Sequence, residues 1–221
     1  MLRLHHFPLC PFSRKVRIAL LEKELLAELV VVDPWQQPDQ VIALNPAAEV
    51  PVLEDEGQII ADSWAICEYL EETRPGPGLL GRSPLERAEI RRLVAWFDVK
   101  FVREVTDLIW GEKLLKRVRD NDTPNSTAVR AGLANIHAHL DYIGFLFECR
   151  NWLGGEHLSL ADITAAAQMS VLDYLGDVPW DKHPEAKLWY ARIKSRPSFR
   201  PLLQDRLIGL RPAAHYDDLD F

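Results

Sequence analysis

Cysteine is scarce in this 221-residue sequence, which contains only Cys10, Cys67 and Cys149. Three is an odd number, and the spacing of these residues fits no metal-binding pattern, so neither a disulfide framework nor a metal site is predicted. Few and unpaired cysteines are typical of a reducing compartment, and we therefore expect a cytoplasmic protein.

Long apolar segments and an excess of positive charge are also missing. No run approaches the ~18 consecutive apolar residues that a membrane-spanning helix needs, and the N-terminus begins directly in a strand pattern rather than in an export signal. The formal net charge is −7. Because nucleic-acid-binding proteins concentrate Lys and Arg on one face, the sequence predicts neither membrane insertion nor a nucleic-acid partner.

Strands and helices alternate over about the first 72 residues in the order βαβαββα. A strand at 2–7, a helix at 13–23 and a strand at 28–32 form a βαβ unit, and a short helix at 39–44 follows. An antiparallel hairpin at 50–53 and 58–61 then leads into a helix that Asp62 and Ser63 cap. This order is typical of a thioredoxin-like domain.

Only helical signals follow the Pro- and Gly-rich stretch 74–78. Long helices are predicted at 85–118 and 127–148, the Ser159-x-x-Asp162 capping box begins a third, and Pro179, Pro184 and Pro197 mark later helix starts. The predicted fold class is an α/β thioredoxin-like N-terminal domain plus an all-α C-terminal domain. Its expected parts are residues 1–73, a linker at 74–83, helices at 84–208 and a tail at 209–221.

Cys10 is the first candidate for chemistry, because it lies where the first strand meets the first helix and Pro11 occupies the first helical position. The unpaired amides and positive end of that helix favour the thiolate, and Arg14 adds positive potential. Ser13 replaces a second cysteine, which disfavours dithiol chemistry and leaves a monothiol route through a mixed disulfide. The alternative is a small residue without reactivity.

Two later segments allow a ligand-binding interpretation and a purely structural one. Pro51 precedes an apolar strand, so the Val50–Pro51 bond is either cis, leaving the Val50 backbone free to pair with an extended ligand, or trans at the start of a strand. Asp62 and Ser63 either cap a helix or also bind the carboxylate and ammonium of a ligand. Spacing alone does not decide between these alternatives.

Four segments in order across nearly the whole chain resemble the glutathione transferase superfamily: residues 9–17, 45–53, 62–70 and 159–162. The resemblance implies that Cys10 aligns with the catalytic cysteine of omega- and beta-type members. Serine-type members place their hydroxyl at the same turn, which makes Ser13 a second catalytic candidate. Ala48 stands where the family usually has glycine.

The same resemblance assigns the binding residues. It implies that Val50 and a cis Pro51 hold the cysteinyl backbone of glutathione, and that Asp62 and Ser63 hold its γ-glutamyl end. Asp162 is expected to be a buried capping residue. The implied partners are glutathione as co-substrate, a small hydrophobic electrophile and a second copy of the chain in a homodimer.

The last residues form an acidic and aromatic tail that ends on Phe221. Terminal segments are usually disordered and without function, but apolar groups at the extreme end are also suited to anchor in a groove of a partner. This ending resembles that of glutathione-transferase-like cell division proteins of alphaproteobacteria that bind the tubulin-like protein FtsZ. The candidate partner-binding residues are Tyr216, Asp217, Asp218, Leu219, Asp220 and Phe221.

Two functions from different classes therefore stay open. One is a glutathione transferase or thiol transferase that uses the thiolate at the start of the first helix. The other is an interaction protein that keeps the fold without the chemistry and regulates cell division by binding FtsZ filaments through its tail. A shared fold does not decide between them, because function depends on the site.

Overall fold

The computed structural model describes residues 1–36 and 38–219, with only the backbone of Pro38. Its N-terminal part has the predicted βαβαββα order. The elements are β1 (Leu2–His6), α1 (Pro11–Glu22), β2 (Ala27–Val31), α2 (Pro38–Leu44), β3 (Val52–Asp55), β4 (Gln58–Ala61) and α3 (Ser63–Thr73).

The strands form one mixed sheet in the order β2-β1-β3-β4. β1 runs parallel to β2 and antiparallel to β3, so that Leu4 lies opposite both Leu29 and Leu53. Alternate residues of β1 are buried, as the two-residue period of a strand requires. This sheet and its helices confirm the thioredoxin-like fold class.

Only helices and turns make up the main elements after residue 83 among the described residues. α4 continues directly into a π-helical segment. The sequence predicts a single helix at 85–118, whereas the structure has these two consecutive helical elements there. The helical elements are α4 (Pro84–Ala95), the π-helical segment (Trp96–Asp120), α5 (Ser126–Cys149), α6 (Leu160–Leu175) and α7 (Pro184–Lys194). No helix within the described ranges is long and apolar enough to cross a membrane.

Side-chain caps begin two of these helices where the sequence indicates. Ser83 and Glu86 form a capping box at α4. At α6 the buried Asp162 accepts hydrogen bonds from the backbone N–H and the hydroxyl of Ser159 at 3.1 and 2.9 Å. The capping box is therefore confirmed, whereas Pro197 lies in a turn and the next helical turn starts only at Arg200.

The interface between the sheet layer and the helical layer is built on charged groups of α1. Lys15 donates to Asp98 at 2.5 Å, and Arg17 makes a bidentate pair with Asp205 at 2.8 and 3.1 Å. Arg196 donates two hydrogen bonds to Glu22, the last residue of α1. Because Lys15 and Arg17 are buried, these pairs hold α1 against the second half of the chain.

The C-terminal segment folds back onto this interface instead of leaving the core. The ring of Tyr216 is fully buried and packs edge-on against Tyr174. Its hydroxyl accepts a hydrogen bond from Arg14 at 3.0 Å and donates to the Leu202 carbonyl at 3.2 Å. Tyr216 is one of the predicted partner-binding residues, but its side chain anchors the tail and is not accessible.

Candidate functional site

Cys10 lies at the N-terminus of α1, between the end of β1 and the loop that carries Pro51. It is the N-cap residue of the helix, and Pro11 occupies the first helical position as predicted. The thiol points to the Val50 carbonyl, with Sγ 3.7 Å from the oxygen. Only 6% of the residue is exposed, so the sulfur is covered by the protein itself.

The environment of Cys10 does not favour the thiolate overall. Burial raises the pKa of Cys10 above the usual value of a thiol, because a charged sulfur loses its hydration there. Hydrogen bonds from Ser13 and the Phe12 amide, and the charge of Arg14, act in the opposite direction without reversing the shift. The effect of burial on the pKa of Cys10 therefore exceeds that of its hydrogen bonds and of Arg14, and a reactive Cys10 thiolate stays a prediction.

Ser13, the second catalytic candidate, is buried under the same turn. Its hydroxyl accepts a hydrogen bond from the Phe7 amide at 3.3 Å and also interacts with Cys10. It has no exposed surface. Ser13 thus joins the end of β1 to the start of α1, and it is not among the residues that line the cavity beside Pro51.

Arg14 connects this turn to the far end of the chain. Its Nε donates to the Pro8 carbonyl at 2.8 Å, two residues before Cys10. Its two other nitrogens donate to Ser170, Tyr216 and Asp205 at 2.9 to 3.0 Å. Arg14 is completely buried, so its positive charge is largely used to join α1 to α6 and the C-terminal segment.

The Val50–Pro51 peptide bond is cis, which resolves the alternative that the sequence left open. Pro51 is buried and Val50 is half-buried. Both residues line a cavity of about 240 Å3 beside α3. The cavity brings together the four predicted ligand-binding residues Val50, Pro51, Asp62 and Ser63, whereas Cys10 lies beneath Val50 rather than in the cavity wall.

Asp62 and Ser63 form the α3 end of the cavity. Asp62 has a backbone φ of +75°, which is rare for a residue with a side chain. One oxygen of its carboxylate accepts from the Trp64 and Ala65 amides at 2.7 and 3.1 Å. The predicted N-cap is therefore confirmed, and this carboxylate itself neutralises part of the helix end that would attract an anionic ligand. Contact of Asp62 and Ser63 with a ligand stays a prediction.

Sequence reasoning missed several residues of the cavity wall. Phe12, Asn45, Ala47, Glu49 and Ala61 complete the lining. Asn45 and Glu49 are linked locally, because the side-chain amide of Asn45 closes the loop by donating to the Glu49 carbonyl at 3.0 Å. Phe12 reaches the cavity from α1 and Ala61 from β4, so their place in the wall depends on contacts between elements that are distant in sequence.

The predicted partner-binding residues of the tail differ in how exposed they are. Asp217 is exposed and pairs with Arg206 at 2.6 Å, and Asp218 is also exposed. Leu219 is half-buried against the core. Asp220 and Phe221 lie outside the described residues.

Two protein families match consecutive parts of the chain. The N-terminal domain of glutathione S-transferase matches residues 4–78, and the C-terminal domain of glutathione S-transferase matches residues 114–197. Together these matches cover more than half of the sequence and include both layers of the fold.

Individual relatives extend this similarity over the full length. FtsZ-localized protein A of Caulobacter vibrioides is 50% identical over 99% of this chain and 97% of that protein. A solved glutathione S-transferase from Rhodospirillum rubrum F11 is 56% identical, with a TM-score of 0.97 and complete coverage of both chains. Glutathione S-transferase omega-2 of Rattus norvegicus is 28% identical over 95% of this chain and 82% of the relative. The fold, the motifs and these matches show that the chain belongs to the glutathione transferase superfamily.

Proposed function

We propose that this protein associates with FtsZ and acts through that association, with the C-terminal tail as the contact. The observation that carries the proposal is the 50% identity over nearly the whole length to FtsZ-localized protein A. A relative of that identity over nearly its whole length shares the fold of this chain. A cytoplasmic location accompanies this proposal, as the sequence predicts.

The arrangement of the tail supports this proposal. Tyr216 is anchored in the core, while Asp217 and Asp218 next to it are exposed. The anchor fixes where the last residues leave the body, which lowers the entropy lost when they bind a partner. We propose that Asp217 to Phe221 form the contact and that Tyr216 only positions them.

Truncation after Tyr216 tests this proposal. Removing residues 217–221 keeps the buried anchor, whereas removing 214–221 also takes an acceptor from Arg14 and risks unfolding. We expect the shorter truncation to abolish co-sedimentation with assembled FtsZ filaments while the thermal unfolding midpoint stays within a few degrees of that of the full chain. Unchanged co-sedimentation would remove the tail from the proposal.

A charge-matched pair of variants separates a specific contact from general electrostatics. Asp217→Asn with Asp218→Asn removes two charges from the tail, and Glu24→Gln with Glu72→Gln removes two from exposed positions elsewhere. The tail variant is expected to weaken filament binding at least about tenfold, because two desolvated charges are lost from the contact. Equal weakening by both variants would mean that only net charge matters.

A second candidate function is binding of a glutathione-type thiol in the Val50–Pro51 cavity, with thiol transfer at Cys10. The observation that favours it is that Sγ of Cys10 lies 3.7 Å from the Val50 carbonyl, next to a cavity lined by all four predicted binding residues. Glutathione is the co-substrate of the family, and the sequence also predicts a homodimer and a small hydrophobic electrophile as partners. These finer points are part of the proposal.

In this second function the Cys10 thiolate attacks the glutathionyl sulfur of a mixed disulfide. A Cys10–glutathione disulfide forms, and the other thiol leaves as its thiolate and takes a proton from water. A second glutathione thiolate then attacks the glutathionyl sulfur, which releases glutathione disulfide and restores Cys10. Because burial raises the pKa of Cys10, we expect a rate that still rises above pH 8.

Substitution of Cys10 tests this second function. Cys10→Ser should remove any reduction of a glutathionylated peptide, and the exposed Cys149 provides the matched control Cys149→Ser. The control should keep the wild-type rate. Absence of saturation-transfer signals from glutathione at millimolar concentration would refute both the binding and the chemistry.

A further inference from the structure

The N-terminal half of the molecule has an unusual charge distribution. Residues 24–73 contain twelve Asp and Glu residues and no Lys, Arg or His. Cations from outside this segment pair with several of these carboxylates, namely Arg3 with Glu28 and Glu54, Lys23 with Glu71, Arg74 with Asp55, and Arg91 with Glu68. The carboxylates at the cavity are not among the partners of these cations.

The cavity wall itself carries only negative charge among the described residues. Glu49 and Asp62 line it together with neutral side chains and backbone. Glu49 is exposed and comes from the loop before Val50, while Asp62 follows β4. An extended ligand that pairs with the Val50 backbone therefore runs past a carboxylate at each end.

The nearby cations of α1 do not compensate for this charge. Lys15 is buried and donates to Asp98, and Arg14 is directed into the helical layer toward Asp205. Both side chains are essentially inaccessible. The positive groups of this helix thus lie behind the cavity and not in its wall.

Glutathione fits this charge pattern poorly at one end. Its γ-glutamyl ammonium suits Asp62, but its glycine end carries a free carboxylate near neutral pH. Because Glu49 lines the cavity, its carboxylate repels a second carboxylate at that end of the ligand. A ligand without that second carboxylate avoids the repulsion.

We propose that the cavity selects γ-glutamylcysteinyl thiols whose terminal carboxylate is blocked as an amide, and that a polyamine amide binds more tightly than a simple amide. Glu49 is the residue that determines this preference. The proposal rests on the thiol-binding function proposed above for the same cavity, and it replaces free glutathione with an amidated or cationic derivative as the preferred ligand.

Titration calorimetry with three ligands tests the preference on the intact protein. We expect glutathione amide to bind about tenfold more tightly than glutathione at low ionic strength, and glutathionylspermidine to bind more tightly still. Because the effect is electrostatic, these differences should shrink as salt is raised to about 0.5 M. Equal dissociation constants for glutathione and its amide would overturn the inference.

Three substitutions test whether Glu49 determines the preference. Glu49→Gln should narrow the ratio of the amide and glutathione affinities to about threefold or less, and Glu49→Lys should make glutathione the tighter ligand. Glu72→Gln removes the same charge from the exposed far end of α3 and should leave the ratio unchanged. If the ratio of the amide and glutathione affinities does not change when Glu49 is substituted, the proposal is contradicted.

The failure of the inference is distinguishable from the failure of the underlying site. Binding of glutathione as tightly as its amide, or more tightly, would keep the proposed thiol site and overturn only the preference. If none of the three ligands binds at millimolar concentration, the thiol site is itself refuted and the preference falls with it.

Discussion

At the scale of single residues, His6 combines burial with a lack of hydrogen bonds. It is 2% exposed in β1, and neither ring nitrogen has a partner among the described residues. Burial, followed by the charge of Arg17, lowers the pKa of His6 to about 4. The neutral imidazole is therefore the form that the folded protein accepts.

This shift has a definite consequence for stability. The unfolded chain binds a proton on His6 below about pH 6.5, whereas the folded chain does not until about pH 4. The free energy of unfolding therefore falls as the pH drops through this window, and His6 accounts for about 2 kcal/mol of the loss between pH 7 and pH 5. Urea unfolding of wild type and His6→Leu at both pH values measures it.

The leucine variant should lose that part of the pH dependence. It should also be at least as stable as wild type at pH 7, because an unpaired buried polar group is removed. His157→Leu, at an exposed histidine, serves as the control and should keep the wild-type dependence. An unchanged pH dependence in His6→Leu would contradict the low pKa.

Ala48 shows a second residue-scale effect, in the loop that forms the cavity. Its φ is +56°, in the left-handed region that costs a residue with a Cβ roughly 1–2 kcal/mol. Its amide closes the turn by donating to the Asn45 carbonyl at 2.8 Å. The glycine that the family usually has at this position fits this conformation without strain.

Ala48→Gly should therefore stabilise the protein by about 0.5–1 kcal/mol, since the strain relieved exceeds the added entropy of the unfolded chain. The neighbouring Ala47, whose φ is not positive, provides the control, because Ala47→Gly adds only the entropy and should destabilise by a similar amount. Midpoints of urea unfolding compare the two. Destabilisation by both variants would show that Ala48 is not strained.

At the scale of elements, α1 shows what local sequence can and cannot predict. The helix start at Pro11 and the N-cap position of Cys10 follow from residues within one turn, and the structure confirms both. The burial of Arg14 and Lys15 cannot be predicted in this way, because their partners Tyr216 and Asp98 lie 202 and 83 positions away in sequence. Burial decided by such distant contacts leaves no local signal, and the burial of Cys10 against Val50 is of the same kind.

The C-terminal segment is a second element whose burial the local sequence does not predict. Its acidic and aromatic composition indicates an accessible tail, yet Tyr216 packs into the core because Arg14 needs acceptors for its buried guanidinium. One hydroxyl thus connects the tail to α1 and, through Arg14 and the Pro8 carbonyl, to the turn before Cys10.

Tyr216→Phe should lower the free energy of unfolding by about 1–3 kcal/mol, because a buried charged donor loses an acceptor. Tyr142→Phe is the control, since its hydroxyl accepts from Arg92, which is 46% exposed on its side chain, and it should cost well below 1 kcal/mol. Equal effects in the two variants would mean that Tyr216 contributes only its ring.

At the scale of the whole molecule, the order of elements and the capping box at α6 were predictable because each rests on a short-range pattern. The association of the two layers was not, because it depends on ion pairs such as Lys15–Asp98 that join positions far apart in sequence. The same reason hid most of the cavity wall, which combines residues of α1, the loop before β3, the end of β4 and the start of α3.

The buried Lys15–Asp98 pair therefore offers a direct measure of how strongly the layers are joined. Lys15→Met leaves the Asp98 carboxyl without its cation in a site where burial already raises the pKa of Asp98, and it should cost about 3–5 kcal/mol. Adding Asp98→Leu removes the unpaired group, and stability should return to within about 1 kcal/mol of wild type. Urea unfolding of both single variants and the double variant completes the cycle.

The Lys100–Glu104 pair on the π-helical segment, whose side chains are 40% and 28% exposed, supplies the contrast. Lys100→Met should change stability by less than about 1 kcal/mol, because solvent already screens that pair. If Lys15→Met behaved like Lys100→Met, the interface charges would not hold the layers together, and apolar packing between α1 and α6 would have to account for their association. A large loss that the double variant restores would instead show that pairing matters at this interface because both charges are buried.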